Sequence, residues 1–238
     1  MKEFKKRNEI TKISNNVTST FRFFKPIYIF LIVNLILISG CSTLKKNENL
    51  DICSSSLLPC LFSNEYVLLI TNRGNIKLEL YGKSAPITVG NFIDFVEKGA
   101  YNKTIFNRVI KKPYPFIIRA GDNSSKEDKS NFLDPEKGRK RYIPLEIKLK
   151  TENLPIYGKE IYSSSQTNDI ELKHKRSYLS MARYKDINSA SLQFNILLKS
   201  LPELDGRFAV FGKVINGMNI VDLIEEEDFI IEAKRVDF

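Results

Sequence analysis

The chain has 238 residues, 42% hydrophobic and 27% charged, which is the composition of an ordinary globular protein with room for one good-sized domain and appendages. Its formal charge is +9, but residues 1–40 hold seven of the 37 basic residues and two of the 28 acidic ones, leaving net +4 over the rest. The one dense basic cluster near a terminus, Lys2, Lys5, Lys6 and Arg7, precedes an apolar run rather than aromatic-interleaved recognition residues, which argues against a nucleic-acid partner.

In chain order, that basic leader is followed by Ile27 to Ile38, an apolar run broken only by Asn34. It falls short of the roughly 20 apolar residues a membrane span needs and fits the core of a signal peptide. Ile38-Ser39-Gly40-Cys41 follows it and resembles the lipobox of bacterial lipoprotein precursors. On that likeness residues 1–40 are a lipoprotein signal peptide, and the Cys41 sulfur takes the lipid that holds the chain to a membrane in the cell envelope, on its extracytoplasmic side. An uncleaved anchor helix is the alternative, and it exports the same residues. Residues 41–64, rich in Ser, Asn and Lys, form the lipidated N-terminus and a flexible tether. Cys53 and Cys60 lie in it, and outside the cytoplasm they can form a disulfide or remain two thiols.

Residues 65–238 form the folded domain. Tyr66–Thr71 and Ile76–Tyr81 flank Asn72-Arg73-Gly74-Asn75 as a hairpin, with Ile76, Leu78 and Leu80 on a buried face. Pro86 opens one amphipathic helix, with Val89, Phe92, Phe95 and Val96 at helical spacing, that ends at Gly99. Further β-rich runs are 104–110, 116–119, 142–149, 178–182, 192–198 and 208–215, with a polar excursion over 123–141 and a short helix over 218–224. Many strands and two helices without βαβ alternation indicate a mainly β, closed antiparallel structure. The one histidine, His174, reads as an edge or loop residue with no ligand set around it, so no metal is expected.

Five blocks in this order resemble the cyclophilin family: APITVGNFIDFVEKGAY (85–101), TIFNRVI (104–110) with FIIRAGD (116–122), LSMAR (179–183), NSASLQFNI (188–196) and LDGRFAVFGKVINGMNIVD (204–222). The likeness runs from Tyr66 to about Glu226. It implies a closed eight-stranded antiparallel barrel with two capping helices, a proline-binding groove on one outer face, and cis/trans isomerisation of X-Pro bonds without cofactor or metal. Partners would be proline-containing segments of client proteins, and a monomer is expected. By resemblance Arg108, Phe116 and Gln193 are the catalytic positions. Ile117, Arg119, Ala182, Arg183, Asn195, Leu204 and Phe208 line the substrate site.

The chain also departs from the family pattern. KKPYP (111–115) is a longer connection than usual. Arg119 stands where a glutamine orients the catalytic arginine, and a second cation there repels Arg108 unless an acidic neighbour intervenes. Asn195 replaces an aromatic wall of the proline pocket and leaves an amide that needs partners. Glu203 and Phe208 replace an aromatic and a histidine. These departures keep a second hypothesis in play, a catalytically weakened proline-peptide binding module, and a third, an envelope scaffold that retains only the barrel.

Overall fold

The computed structural model describes Cys53 and residues 58–122, 133–134 and 138–237, all within one compact unit spanning 47–238. The signal-peptide and Cys41 readings, most of the tether and most of the 123–141 excursion lie outside the described residues.

The opening hairpin pairs β1 (Asn64–Thr71) with β2 (Gly74–Tyr81) through a two-residue turn, Asn72-Arg73. Val67, Leu69, Ile76, Leu78 and Leu80 alternate onto one face and are wholly buried, as period two requires. Helix α1 (Pro86–Glu97) lies against that face. Proline at its first turn costs no hydrogen bond there. The helix is not amphipathic as expected: ten of its twelve residues are buried, because it is packed from several sides rather than one. Phe92 meets Tyr101, Phe194 and Phe211 at ring-centroid distances of 4.7, 5.2 and 5.3 Å. On another side the chain just before β1 runs over Gly90, where an added Cβ would stand 2.3 Å from the Pro59 carbonyl oxygen. Residues 58–61, assigned by composition to the tether, thus rest on the domain, with Leu61 N–H donating to Pro86 O at 3.0 Å. Cys53 and Cys60 are joined as a disulfide beside them.

The next strands are β3 (Ile105–Val109), β4 (Ile117–Asp122), and two short pairs, β5 (Leu133–Asp134) with β6 (Arg139–Lys140) and β7 (Glu146–Ile147) with β8 (Ile156–Tyr157). Helix α2 (Ser164–Asp169), which the sequence did not suggest, is followed by β9 (Tyr178–Met181), β10 (Phe194–Leu197), β11 (Val210–Asn216), helix α3 (Met218–Leu223) and β12 (Ile230–Val236). Eight strands form one antiparallel sheet in the order β12-β1-β2-β11-β9-β10-β4-β3. The sheet curls until its edge strands approach at one end. Phe106 N–H donates to Asp228 O at 2.7 Å, Ile230 N–H donates to Thr104 O at 2.9 Å, and Ile105 bridges Phe229.

The expected strand over 142–149 shrinks to Glu146–Ile147 with a bridge at Ile143. Pro144 has no N–H to give a ladder, and the Glu146 carboxylate is turned inward to cap α1. It accepts from Ile87 N–H at 2.9 Å, Thr88 N–H at 2.6 Å and the Thr88 hydroxyl at 2.5 Å. Arg141, read as part of a polar excursion, is buried: it pairs with Asp94 at 2.5 Å and stacks 4.5 Å from the Phe95 ring. Residues 148–172, between β7 and β9, carry β8 and α2. They build a second small core in which Leu149, Ile161 and Ile170 gather with Leu145, Ile147 and Ala209.

Candidate active site

The outer face of β3, β4 and β10 gathers the residues singled out from sequence. Its geometry begins with a bulge. Phe106 opposes Ala120 and Arg108 opposes Arg119, so one residue of β3, Asn107, has no counterpart on β4. Phe106 and Ala120 face the core. The extra residue turns Arg108 to the opposite, solvent-exposed face, which strict alternation from Phe106 would have denied it.

Beside Arg108 the ladder continues across the sheet, with Arg119 opposite Asn195 and Asn195 opposite Ser180. Arg119 Nε donates to Asn195 Oδ1 at 2.9 Å. Two departures noted in the sequence therefore answer each other: the amide that replaces an aromatic supplies the acceptor for the guanidinium that replaces a glutamine. Asn195 is 5% exposed, so this bond satisfies an oxygen that water reaches poorly. Next along β3, Val109 N–H donates to Glu226 Oε1 at 3.1 Å, which brings a carboxylate alongside the Arg108 backbone. The Arg108 side chain has no hydrogen bond or ion pair among the described residues.

Two residues along the ladder from this polar row lies an apolar cluster separate from the main core. Ile117, Leu197 and Leu201 are buried in it, and Ile110, Phe116, Tyr178 and Leu204 pack against them. The three residues assigned to a proline pocket, Phe116, Ile117 and Leu204, thus come together. The longer 111–115 connection does not displace Phe116, because it closes on itself: Phe116 N–H donates to Ile110 O at 2.9 Å, and Phe116 O accepts from Leu198 N–H at 3.0 Å.

Leu204 is held by a residue the sequence misplaced. His174 is not at an edge or in an open loop; it is 1% exposed. Its backbone N–H and its ring Nδ1 both meet Asp205 Oδ1 at 2.8 Å, and its carbonyl accepts from Leu201 N–H at 2.9 Å. The pair fastens both ends of the 3-10 turn Pro202–Leu204. Burial opposes ionisation of Asp205, but the bonds from His174 outweigh it and hold that carboxyl below the usual carboxylate range. Asp205 lies 31 residues along the chain, so no local pattern marks the pair.

The remaining positions lie on the β9 side. Ala182 is buried, and its N–H donates to the carbonyl of half-buried Gln193 at 2.9 Å. The Arg183 guanidinium stacks 4.7 Å from the Phe208 ring. Among the described residues no cluster of three or more His, Cys, Asp or Glu could hold a metal ion.

A profile described as cyclophilin type peptidyl-prolyl cis-trans isomerase/CLD matches residues 66–236. The chain belongs to the cyclophilin family. The match takes in β12, ten residues beyond the likeness read from sequence. Among curated cyclophilin relatives, a Synechocystis protein named as a putative thylakoid lumen peptidyl-prolyl cis-trans isomerase is 34% identical over 75% of this chain and 48% of its own length. Peptidyl-prolyl cis-trans isomerase A of Dickeya dadantii is 34% identical over 69% of this chain and 73% of its own. The chain spans about half of the first of these and a quarter of an isomerase-like 2 protein from Rhizopus delemar. A Cryptosporidium parvum cyclophilin crystal structure covers 74% of this chain and 99% of its own, with TM-score 0.56 and 28% identity. A second crystal structure of it, in the presence of the dipeptide Ala-Pro, aligns with TM-score 0.55. The mainly β fold with few helices is that of the family.

Proposed function

We propose that this cyclophilin domain catalyses cis/trans isomerisation of X-Pro bonds in proteins folding outside the cytoplasm. One observation carries the reading: the β3 bulge sets Arg108 on the outer face beside the separate apolar cluster of Phe116, Ile117 and Leu204. An amide resists rotation with a barrier of about 18–20 kcal/mol because resonance holds it planar. X-Pro is the bond worth catalysing, since its two forms are close in energy yet interconvert over tens to hundreds of seconds. As the bond twists, the prolyl nitrogen gains basicity. With the proline ring seated in the apolar cluster, the Arg108 guanidinium donates to that nitrogen and stabilises the twisted state more than either planar one. Gln193 bonds the substrate backbone, and the peptide lies along Ala182 and Arg183. The reaction needs no proton acceptor, metal or cofactor.

The eight strands act, in this reading, as a barrel closed where β3 meets β12. Ile38-Ser39-Gly40-Cys41 supports lipidation at Cys41 after removal of residues 1–40, and hence a chain tethered in the cell envelope. A Cys53–Cys60 disulfide suits an oxidising compartment, and the Synechocystis relative is named for the thylakoid lumen. The second reading, a proline-peptide binding module with little turnover, is favoured by Asn195, which spends its amide on Arg119 where the pocket would gain from an aromatic wall. Exchange NMR on proline peptides with the full-length chain separates the two. Turnover that falls about 10²–10³-fold in Arg108→Ala supports the enzyme, whereas peptide binding with no turnover above the uncatalysed rate supports the binding module. Intact mass of the membrane-extracted protein tests the anchor: an acylated N-terminal Cys41 supports it, and a chain retaining residues 1–40 refutes it.

A further inference from the structure

Resting on that reading, we infer that the 111–115 connection is a rim of the proline pocket, and that Tyr114 on it is a specificity-determining residue favouring segments with a second proline close to the first. The connection grows out of the pocket wall at both ends. Ile110 and Phe116 pack on the apolar cluster of Ile117, Leu197 and Leu201. Phe116 N–H donates to Ile110 O, and Ile110 N–H to Ile117 O, each at 2.9 Å. Between these ends Lys112, Pro113, Tyr114 and Pro115 are all exposed. Tyr114 stands two residues before Phe116, and two residues of chain span at most about 7 Å, so its backbone cannot leave the edge of the pocket. Its side chain is 74% exposed, more than any other large apolar one among the described residues.

The rim is stiff. Proline fixes φ at 113 and 115, and Pro115 confines Tyr114 to extended backbone. Lys111 pins the near end: its Nζ donates to Asp222 O at 2.6 Å and to Ile224 O, carbonyls at the C-terminal end of α3, where a cation also meets the negative end of the helix dipole. The Asp222 carboxylate accepts from Arg176 Nη2 at 2.6 Å, and Arg176 Nη1 donates to Leu198 O at 2.9 Å. Leu198 N–H donates to Phe116 O at 3.0 Å. Contacts thus run from Lys111 through α3 and the end of β10 back to Phe116, and both ends of the connection are held. A ring kept in water on so stiff a frame loses little freedom when a ligand covers it.

The spacing selects the ligand. Proline-rich segments adopt the extended polyproline II form, rising about 3.1 Å per residue, and dock on exposed aromatic rings. With one proline seated beside Phe116, another two or three residues along lies about 6–9 Å away. That matches the reach from Phe116 to Tyr114, so the second pyrrolidine ring meets the tyrosine ring.

The test uses the full-length chain and blocked peptides of one length, each with two prolines spaced two, three or six residues apart and alanine or serine elsewhere. Kd is read by titration and turnover by exchange NMR. The six-residue spacing keeps the number of prolines but carries the second beyond Tyr114. The wild-type chain should bind the two- or three-residue spacing about fivefold more tightly than the six-residue one, the scale of one ring-on-ring contact. Tyr114→Ala should bring that ratio to about one, and Tyr114→Phe, which keeps the ring, should preserve it. Lys111→Met, which keeps the apolar stem and frees the frame, should give a ratio in between. A wild-type ratio near one, or a ratio that survives Tyr114→Ala, overturns the rim. Because Kd does not depend on catalysis, a wild-type chain that binds without turnover refutes the isomerase reading while the ratio still judges the rim. One that binds no proline peptide refutes both.

Discussion

At the scale of residues, the paired departures Arg119 and Asn195 make a prediction neither makes alone. Asn195→Phe restores an aromatic wall but takes away the acceptor of Arg119 Nε, a part-buried donor, and leaving such a donor unmet costs up to about 1–3 kcal/mol. The single substitution should therefore gain little peptide affinity. Arg119→Gln combined with Asn195→Phe replaces the cation by an amide and the Asn195 amide by a ring, and should bind proline peptides more tightly than either single variant. A double-mutant cycle on Kd should give a coupling of about 0.5–3 kcal/mol, and strict additivity would show that the bond does not shape the pocket. At this scale the sequence was only partly legible. Arg108, Phe116, Ile117 and Leu204 could be named from motif order, but not the bulge at Asn107 that puts Arg108 outside, since alternation from Phe106 points it inward. Nor could sequence join His174 to Asp205, because the partner comes from a segment distant in the chain.

Among elements, the N-terminus of α1 depends on Glu146. Burial pushes the pKa of this carboxyl up to about 7, against the bonds from Thr88 and Ile87 that favour its ionised form. The folded value thus lies above the unfolded one, near 4.5. Between those values the native state holds the proton more tightly, so stability should fall as pH rises from about 4.5 to about 7 and then level off. Asp205 and Asp228 are shifted the opposite way, below 3.8. The stability they give is present above that value and is lost as pH falls through their lowered values, which leaves the upper window to Glu146. Urea unfolding across pH should show the slope in wild type, by an amount on the order of 3 kcal/mol, and not in Glu146→Gln. The variant should be destabilised at pH 5 by about 1–3 kcal/mol, because its amide nitrogen faces an N–H. The strand β12 was not foreseen because a register shift against Thr71 spaces its buried residues, Ile230 and Ala233, three apart, and period two finds no face there. The early strands, which alternate without interruption, were read to within about two residues, the usual reach of such boundaries.

For the molecule as a whole, the Cys53–Cys60 link joins two residues that pack against the main core, not against the apolar cluster beside Arg108. Replacing both cysteines by serine should lower stability by about 2 kcal/mol on the chain-entropy account, as measured by urea unfolding, and leave turnover on proline peptides unchanged. A loss of turnover would mean that the N-terminal segment reaches the groove.

The place of β1 in the sheet has a mechanical meaning. This first strand is not an edge: it is laddered to β2 on one side and β12 on the other along nearly its whole length. A pull on the chain before residue 53 bypasses the intervening loop through the sulfur bond and, once the contacts of residues 58–61 with α1 give way, loads β1 from its first residue. Hydrogen bonds across both ladders lie perpendicular to the strand, so a pull along it loads them in shear and they must fail together. A pull on the other end of the chain meets β12 at the rim of the sheet, where pairs can separate in succession. Forced unfolding reports the unfolding rate under load, and optical tweezers should find the domain stronger when held by its N-terminal side. On the proposed tether, that is the side on which the strain arrives.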